Sequence, residues 1–222
     1  MNLQVKDLCK SFGYKEIFDK FNLNLSNEKI NCIIGESGGG KSTLLNIIAG
    51  IQKLDNGEIL GVNKDDISYI FQEDRLIPWL TVKENIELFI YNYYSKKEGN
   101  EKIKKIFKLV NIEGTENEYP EKLSGGMKQR VNIARALLKP SKVILMDEPF
   151  KSLDYKTKYS IITELKEIFK KEKRMVIFVT HDVDEAIFMD GTIYVLGGRP
   201  FRIKGKFQEN LLDAKEEIIK LI

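Results

Sequence analysis

The sequence predicts an α/β fold in which a parallel sheet is covered by helices and interrupted by a helical insertion. Three observations carry this. From residue 143 onward, apolar runs alternate with helical patterns: strand Val143–Met146, helix Lys156–Lys171, strand Met175–Val179, a short helix from Val183 and strand Ile193–Leu196. Near the N-terminus the buried run Ile30–Ile34 ends at Gly35, and a helix follows over Lys41–Ala49. Between these stretches, residues 81–138 are mostly helical by pattern. With 222 residues, 42% apolar and 31% charged, the chain can bury a sizeable core and reads as an ordinary globular protein.

The remaining elements follow in order. Phe21, Leu23 and Leu25 alternate with polar residues, so residues 3–34 read as strands, with further strands near Gly57–Leu60 and Ile67–Phe71. A hairpin-like piece around Gly197–Pro200 and a helix over about Asn210–Ile222 close the chain. There is no internal repeat, heptad or low-complexity linker. The expected organisation is a single domain over 1–222, with a core of about 1–72 and 140–222 and a helical subdomain of about 73–139.

Bulk properties narrow the function classes. A net charge of +3 is too small to argue for a nucleic-acid partner, and the runs Lys96–Lys97 and Lys170–Arg174 read as solvated helix faces. Cys9 and Cys32 lack ligand-like spacing and fit buried thiols in a reducing compartment. The N-terminal MNLQVKDLCKSF has no apolar signal segment, and no apolar run approaches the ~20 residues that span a bilayer. The expected location is therefore cytoplasmic, with room for contact with a membrane protein.

Three motifs carry chemistry. GESGGGKST, Gly35 to Thr43, fits G-x-x-x-x-G-K-[ST] between a strand and a helix. Its glycines let backbone N–H groups surround phosphate oxygens, Lys41 supplies a point charge, and the Ser42 hydroxyl can ligate Mg²⁺. VILMDEP, Val143 to Pro149, is a buried strand delivering Asp147 and Glu148 to its C-terminal end, Asp147 suited to Mg²⁺ and Glu148 to polarising a water. LSGGMKQR, from Leu123, reads as a second anion-attracting helix start: Ser124 is a good N-cap, and Gly125 and Gly126 bare the backbone. By contrast, Asn63-Lys64-Asp65-Asp66 resembles a guanine-reading motif but lies in a Gly-Asn-Asp turn, where a plain turn is the better reading.

These motifs, in this order, resemble those of the ATP-binding cassette (ABC) ATPases over roughly Leu3 to Leu196. The resemblance implies a P-loop NTPase of the ABC type: a mixed sheet core, an N-terminal antiparallel β subdomain and an inserted helical subdomain. It implies that Gly35, Glu36, Ser37, Gly38, Gly39, Gly40, Lys41, Ser42 and Thr43 cradle ATP and that Phe12 stacks on adenine, with Tyr14 a competing candidate. Glu148, His181 (the single histidine) and Gln72 match catalytic positions, and Ser42, Gln72 and Asp147 match those around Mg²⁺. Ser124, Gly125, Gly126 and Asp154 match positions that meet ATP across a head-to-tail homodimer, so one chain would carry two half-sites facing different ways. Loss of the shared γ-phosphate on hydrolysis would let the dimer reopen.

The family further implies transmembrane permease subunits, an extracytoplasmic solute-binding protein, and a peripheral place on the inner face of the cell membrane. QEDRLIPW, DEPF and VTHDVDEA look most like the nitrate/sulfonate/taurine importers, which include importers of thiamine precursors. The alternatives are an exporter or lipoprotein-releasing ATPase and a soluble ABC-type regulator. Leu76, Ile77, Pro78 and Trp79 form an apolar knob read as a permease contact, against ordinary core packing. Gly39 stands where the family often has a larger residue, Lys151 where serine or glycine is usual, and Gly191-Thr192 where Asp-Arg is frequent. The sequence leaves open whether Lys151 faces the nucleotide or solvent.

Overall fold

The computed structural model describes residues 2–222. Strands β1 (Asn2–Phe12) and β2 (Lys15–Ser26) pair antiparallel, and β4 (Asn56–Leu60) joins the other edge of β1. In β2, Phe21, Leu23 and Leu25 are buried while Asn22 and Asn24 are exposed, the alternation of a sheet with one wet face.

The second sheet has six strands in the order β5 (Ile67–Ile70), β6 (Val143–Asp147), β7 (Met175–Val179), β3 (Asn31–Gly35), β8 (Thr192–Gly197) and β9 (Arg202–Phe207). The first five are parallel and β9 closes the edge antiparallel. Every residue of β3, β6 and β7 is buried, so these strands read as continuous apolar runs. The two-residue period splits them between two cores. Cys32, Ile34, Ile144, Met146, Val176 and Phe178 face the helices on one side. Ile33, Val143, Leu145, Ile177 and Val179 face α1 (Lys41–Ile48) and the three-stranded sheet on the other.

Between β5 and β6 lie α2 (Val82–Ile90), α3 (Lys96–Leu109) and α4 (Gly125–Leu138). Helix α2 begins with a capping box: Thr81 Oγ1 accepts from Glu84 N at 3.2 Å, and Glu84 Oε2 accepts from Thr81 N at 2.8 Å. Residues 110–124 are turns, with one 3₁₀ turn at Pro120–Lys122, so the stretch is less helical than its pattern predicts. Helix α5 (Tyr155–Glu172) follows β6, and α6 (Val183–Met189) follows β7. The closing helix α7 covers only Lys215–Leu221, because residues 211–214 form a turn. Among the described residues no helix is long and apolar enough to cross a membrane. Cys9 is half-buried and Cys32 buried, both as free thiols, and burial pushes the Cys32 thiol well up.

Candidate active site

The parallel strands deliver their C-terminal ends to one edge: β3 runs into Gly35, β6 into Asp147, and β7 into Thr180 and His181. From Gly35 the chain turns through Glu36–Gly40 into α1. Lys41 folds back over this turn, 5% exposed, its Nζ donating to the carbonyls of Gly35 and Glu36 at 2.8 Å each. Burial pulls its pKa down, while the carboxylates of Glu148, Asp147 and Glu36 pull it back up. Helix α1 starts at Gly40 without a side-chain cap, whereas the next five helices are capped by Thr81, Ser95, Ser124, Asp154 and Asp182. Its first N–H groups are left for an anion.

Opposite Lys41 stand two carboxylates. Asp147 is 5% exposed, and its Oδ1 is buried without a hydrogen-bond partner among the described residues. Burial pushes its pKa up, a hydrogen bond from Ser42 opposes this, and the neighbouring Glu148 charge pushes further up. Glu148 takes a left-handed backbone, φ +44°, with its N–H donating to Val179 O at 2.9 Å. A non-glycine residue in this region costs about 1–3 kcal/mol and persists where the surroundings enforce it. The conformation directs Glu148 Oε1 to 3.2 Å from His181 Nδ1 and Oε2 to 3.5 Å from Lys151 Nζ. Lys151, undecided from the sequence, therefore leans back onto the carboxylate of its own chain.

The His181 loop is fixed by a polar network. Thr180 Oγ1 donates to Glu185 Oε2 at 2.6 Å, and Asp182 Oδ1 accepts the N–H groups of Asp184 and Glu185 as the cap of α6. Lys158 on α5 bridges Asp182 at 3.1 Å and Glu185 at 2.9 Å. Burial pulls the Lys158 pKa down, but the hydrogen bonds to Glu185 and Asp182 outweigh it and leave the ammonium well above the usual lysine range. Spacing could have suggested Asp182 and Glu185 as a cap pair; nothing local signalled Lys158.

Not all expected residues gather here. Ser124, Gly125 and Gly126 open α4, and Ser124 Oγ accepts from Met127 N at 3.2 Å. A Cβ on Gly126 would lie 3.0 Å from Ser152 O, so this helix start abuts the loop before α5. Asp154 caps α5, its Oδ1 accepting from Thr157 N at 3.0 Å, a bond that holds its carboxyl below the usual range. Gln72 is exposed. Phe12 is 47% exposed at the end of β1 with the Lys10 ammonium 5.3 Å from its ring, and Tyr14 is fully exposed in the adjoining turn.

The segment after Gln72 is tied to α4. Asn132 Nδ2 donates to Glu73 O at 3.1 Å, and Arg135 donates to Arg75 O at 3.0 Å. Buried Asn85, which the sequence reading missed, holds the loop above α2: it accepts from Ile77 N and donates to the carbonyls of Ile77, Leu80 and Thr81. Trp79 is left 75% exposed, outside any core.

Residues 18–151 match the family model described as ABC transporter. The chain is 39% identical to the aliphatic sulfonates import ATP-binding protein SsuB of Bacillus anthracis over 224 residues, covering 95% of this chain and 87% of that protein. Its fold is similar to the dimeric structure of MJ0796, a bacterial ABC transporter cassette, with TM-score 0.84, 32% identity, and 93% and 98% of the two chains covered. A dimeric post-hydrolysis state of the same cassette, bound to ADP and Pi, matches with TM-score 0.83 and 32% identity, again over 93% and 98% of the two chains.

Proposed function

The chain belongs to the ABC transporter family, and from that premise we propose that it is the ATP-hydrolysing subunit of an importer, working as a head-to-tail homodimer beneath a permease. The observation that carries this reading is the convergence of Lys41, Asp147, Glu148 and His181 at one sheet edge, beside the uncapped start of α1. Lys41 releases its two loop carbonyls to bind the β- and γ-phosphates, and Phe12 stacks on the adenine. The unpartnered Asp147 oxygen and the Ser42 hydroxyl suit a hard cation. With Gln72 they would hold Mg²⁺, which when bound would supply charge neutralisation on the phosphates. Glu148 accepts the proton of the attacking water, and His181, anchored through Nδ1, offers Nε2 to the γ-phosphate.

Ser124, Gly125, Gly126 and Asp154 serve the partner's ATP, so that nucleotide closes the dimer and hydrolysis loosens it. The permease docks in the groove between β5 with its following residue, 67–71, and the helical insertion. A cavity of about 410 Å³ there is lined by Phe71, Phe89, Tyr93 and Arg135 among others, and Arg75 lies 3.8 Å from the Phe71 ring centre. Exposed Trp79 belongs to the same docking region. A solute-binding protein outside the membrane completes the system, and the relative's name makes aliphatic sulfonates the first solutes to test. The reading is checked by co-purification from solubilised membranes: a permease should come down with the chain, and ATP turnover should respond to it. Purification with no membrane protein, and turnover indifferent to membranes, contradicts the transporter role.

A further inference from the structure

Gly38, Gly39 and Gly40 stand in succession at the turn of the phosphate loop, and they are glycine for different reasons. Gly38 has φ +73° and Gly40 φ +120°, a region that side chains disfavour. A Cβ on Gly40 would also come within 2.5 Å of Ile17 Cγ2. Gly39 has no such backbone requirement, since its φ is not positive. What excludes a side chain there is the Phe201 ring: a Cβ on Gly39 would overlap Cε2 and Cζ of that ring and lie 3.2 Å from Cδ2.

Phe201 cannot easily move aside. It is 2% exposed, in the turn between β8 and β9, and its N–H donates to Ile17 O at 2.8 Å. Its ring meets Phe18 edge-on, with centroids 6.2 Å apart and planes at 78°, and Phe18 in turn packs on Phe21 at 5.1 Å. Ile17 and Phe18 of β2 thus crowd Gly40 and at the same time hold Phe201 beneath Gly39. The wall is made from two distant parts of the chain.

We infer that Phe201 is a positioning residue for nucleotide binding: its ring is the floor on which the phosphate loop rests, and it dictates glycine at position 39. This rests on the reading of Gly35–Thr43 as the ATP cradle and adds to it a binding determinant on the β8–β9 turn. A methyl group at 39 lifts the loop off its floor and spreads the N–H groups that converge on phosphate, and displacements near 1 Å at such sites cost large factors. Removing the ring instead leaves a void under the loop, which loosens it. Doing both puts the methyl group into the void.

The test is an equilibrium titration of the full chain with Mg²⁺ and a fluorescent ATP analogue, paired with thermal unfolding without nucleotide. Gly39→Ala is expected to weaken binding about tenfold and Phe201→Ala at least about threefold. The double variant should bind at least about fivefold more tightly than Gly39→Ala alone, and its unfolding should be non-additive in the same sense. Gly39→Ala binding as tightly as the parent, or a double variant no better than Gly39→Ala, overturns the inference. Should Phe201→Ala fail to fold, Phe201→Leu takes its place with the same required rescue. Failure of the ATP reading looks different: the parent itself binds no nucleotide, which overturns the binding role, while the unfolding data still report the packing.

Discussion

Two helix starts in this chain are glycine-rich, and they are built oppositely. Helix α1 opens at Gly40 with no side-chain cap, Lys41 buried beside it, and the carboxylates of Asp147 and Glu148 across from it. Helix α4 opens exposed, capped by Ser124, with no lysine in its first turn until Lys128, which pairs with Asp74 at 3.7 Å. Only the first brings a buried lysine and a pair of carboxylates together. In the proposed dimer the second would offer backbone donors and a helix dipole to a phosphate whose charge is already met elsewhere. On the proposed reading each start is half of a site, which lets one chain carry two phosphate-facing features without duplicating the chemistry; hydrogen bonds from α4 tie that helix to the segment after Gln72.

The largest effects should separate the two starts. Glu148→Gln removes the proton acceptor at the first. Turnover should fall at least about 100-fold while ATP binding persists and accumulates a nucleotide-bound dimer, seen as an ATP-dependent doubling of mass. A mass that stays monomeric with ATP counts against the shared site. Ser124→Arg at the second should abolish hydrolysis yet leave nucleotide affinity of the isolated chain within about twofold, because that half-site serves the partner. An equal loss of binding would merge the two regions into one.

Smaller effects sharpen the first region. Lys158→Met strands Asp182 and Glu185 and should cost about 2 kcal/mol in urea unfolding, below the range for fully buried broken pairs because the site is partly solvated. Turnover should drop more than affinity, since the His181 loop loses its tie. Asp147 is held above its ordinary carboxylate value by burial, so it destabilises the nucleotide-free fold at neutral pH. The penalty grows as pH rises from the ordinary value through the folded one and vanishes below both. Asp147→Asn should therefore raise the neutral-pH melting temperature by a few degrees, with the gain fading toward about pH 4. A gain independent of pH removes that explanation. Lys151→Ala should move turnover least, within about threefold, because its ion pair with Glu148 joins a side chain that is 53% exposed.

Local pattern explains what the sequence made legible. The phosphate loop, the Asp147–Glu148 strand end and the Ser124 cap are each written in a few consecutive residues, and the all-buried strands are continuous apolar runs. Lys158 and Phe201 were not legible, because each matters through a partner distant in the chain; Asn85 was not, because its bonds go to backbone groups of the loop just before α2, which leave no side-chain signature. Residues 110–124 and 211–214 misled for a related reason: their apolar residues pack on the core from turns, and periodicity does not distinguish these from frayed helix. Trp79 is ambiguous in the sequence; in the fold it stands exposed on a loop that Asn85 fixes at Ile77 and Leu80.

The most direct measurement mixes two inactive chains, Lys41→Ala and Ser124→Arg. In their mixed dimer one composite site joins the intact phosphate loop of the second to the intact α4 start of the first. With half of the dimers mixed and one of two sites whole, turnover should return to about a quarter of the parent rate per chain. No recovery, from a Ser124→Arg chain shown to bind nucleotide and two chains shown to associate, would place the complete site within one copy and contradict the account.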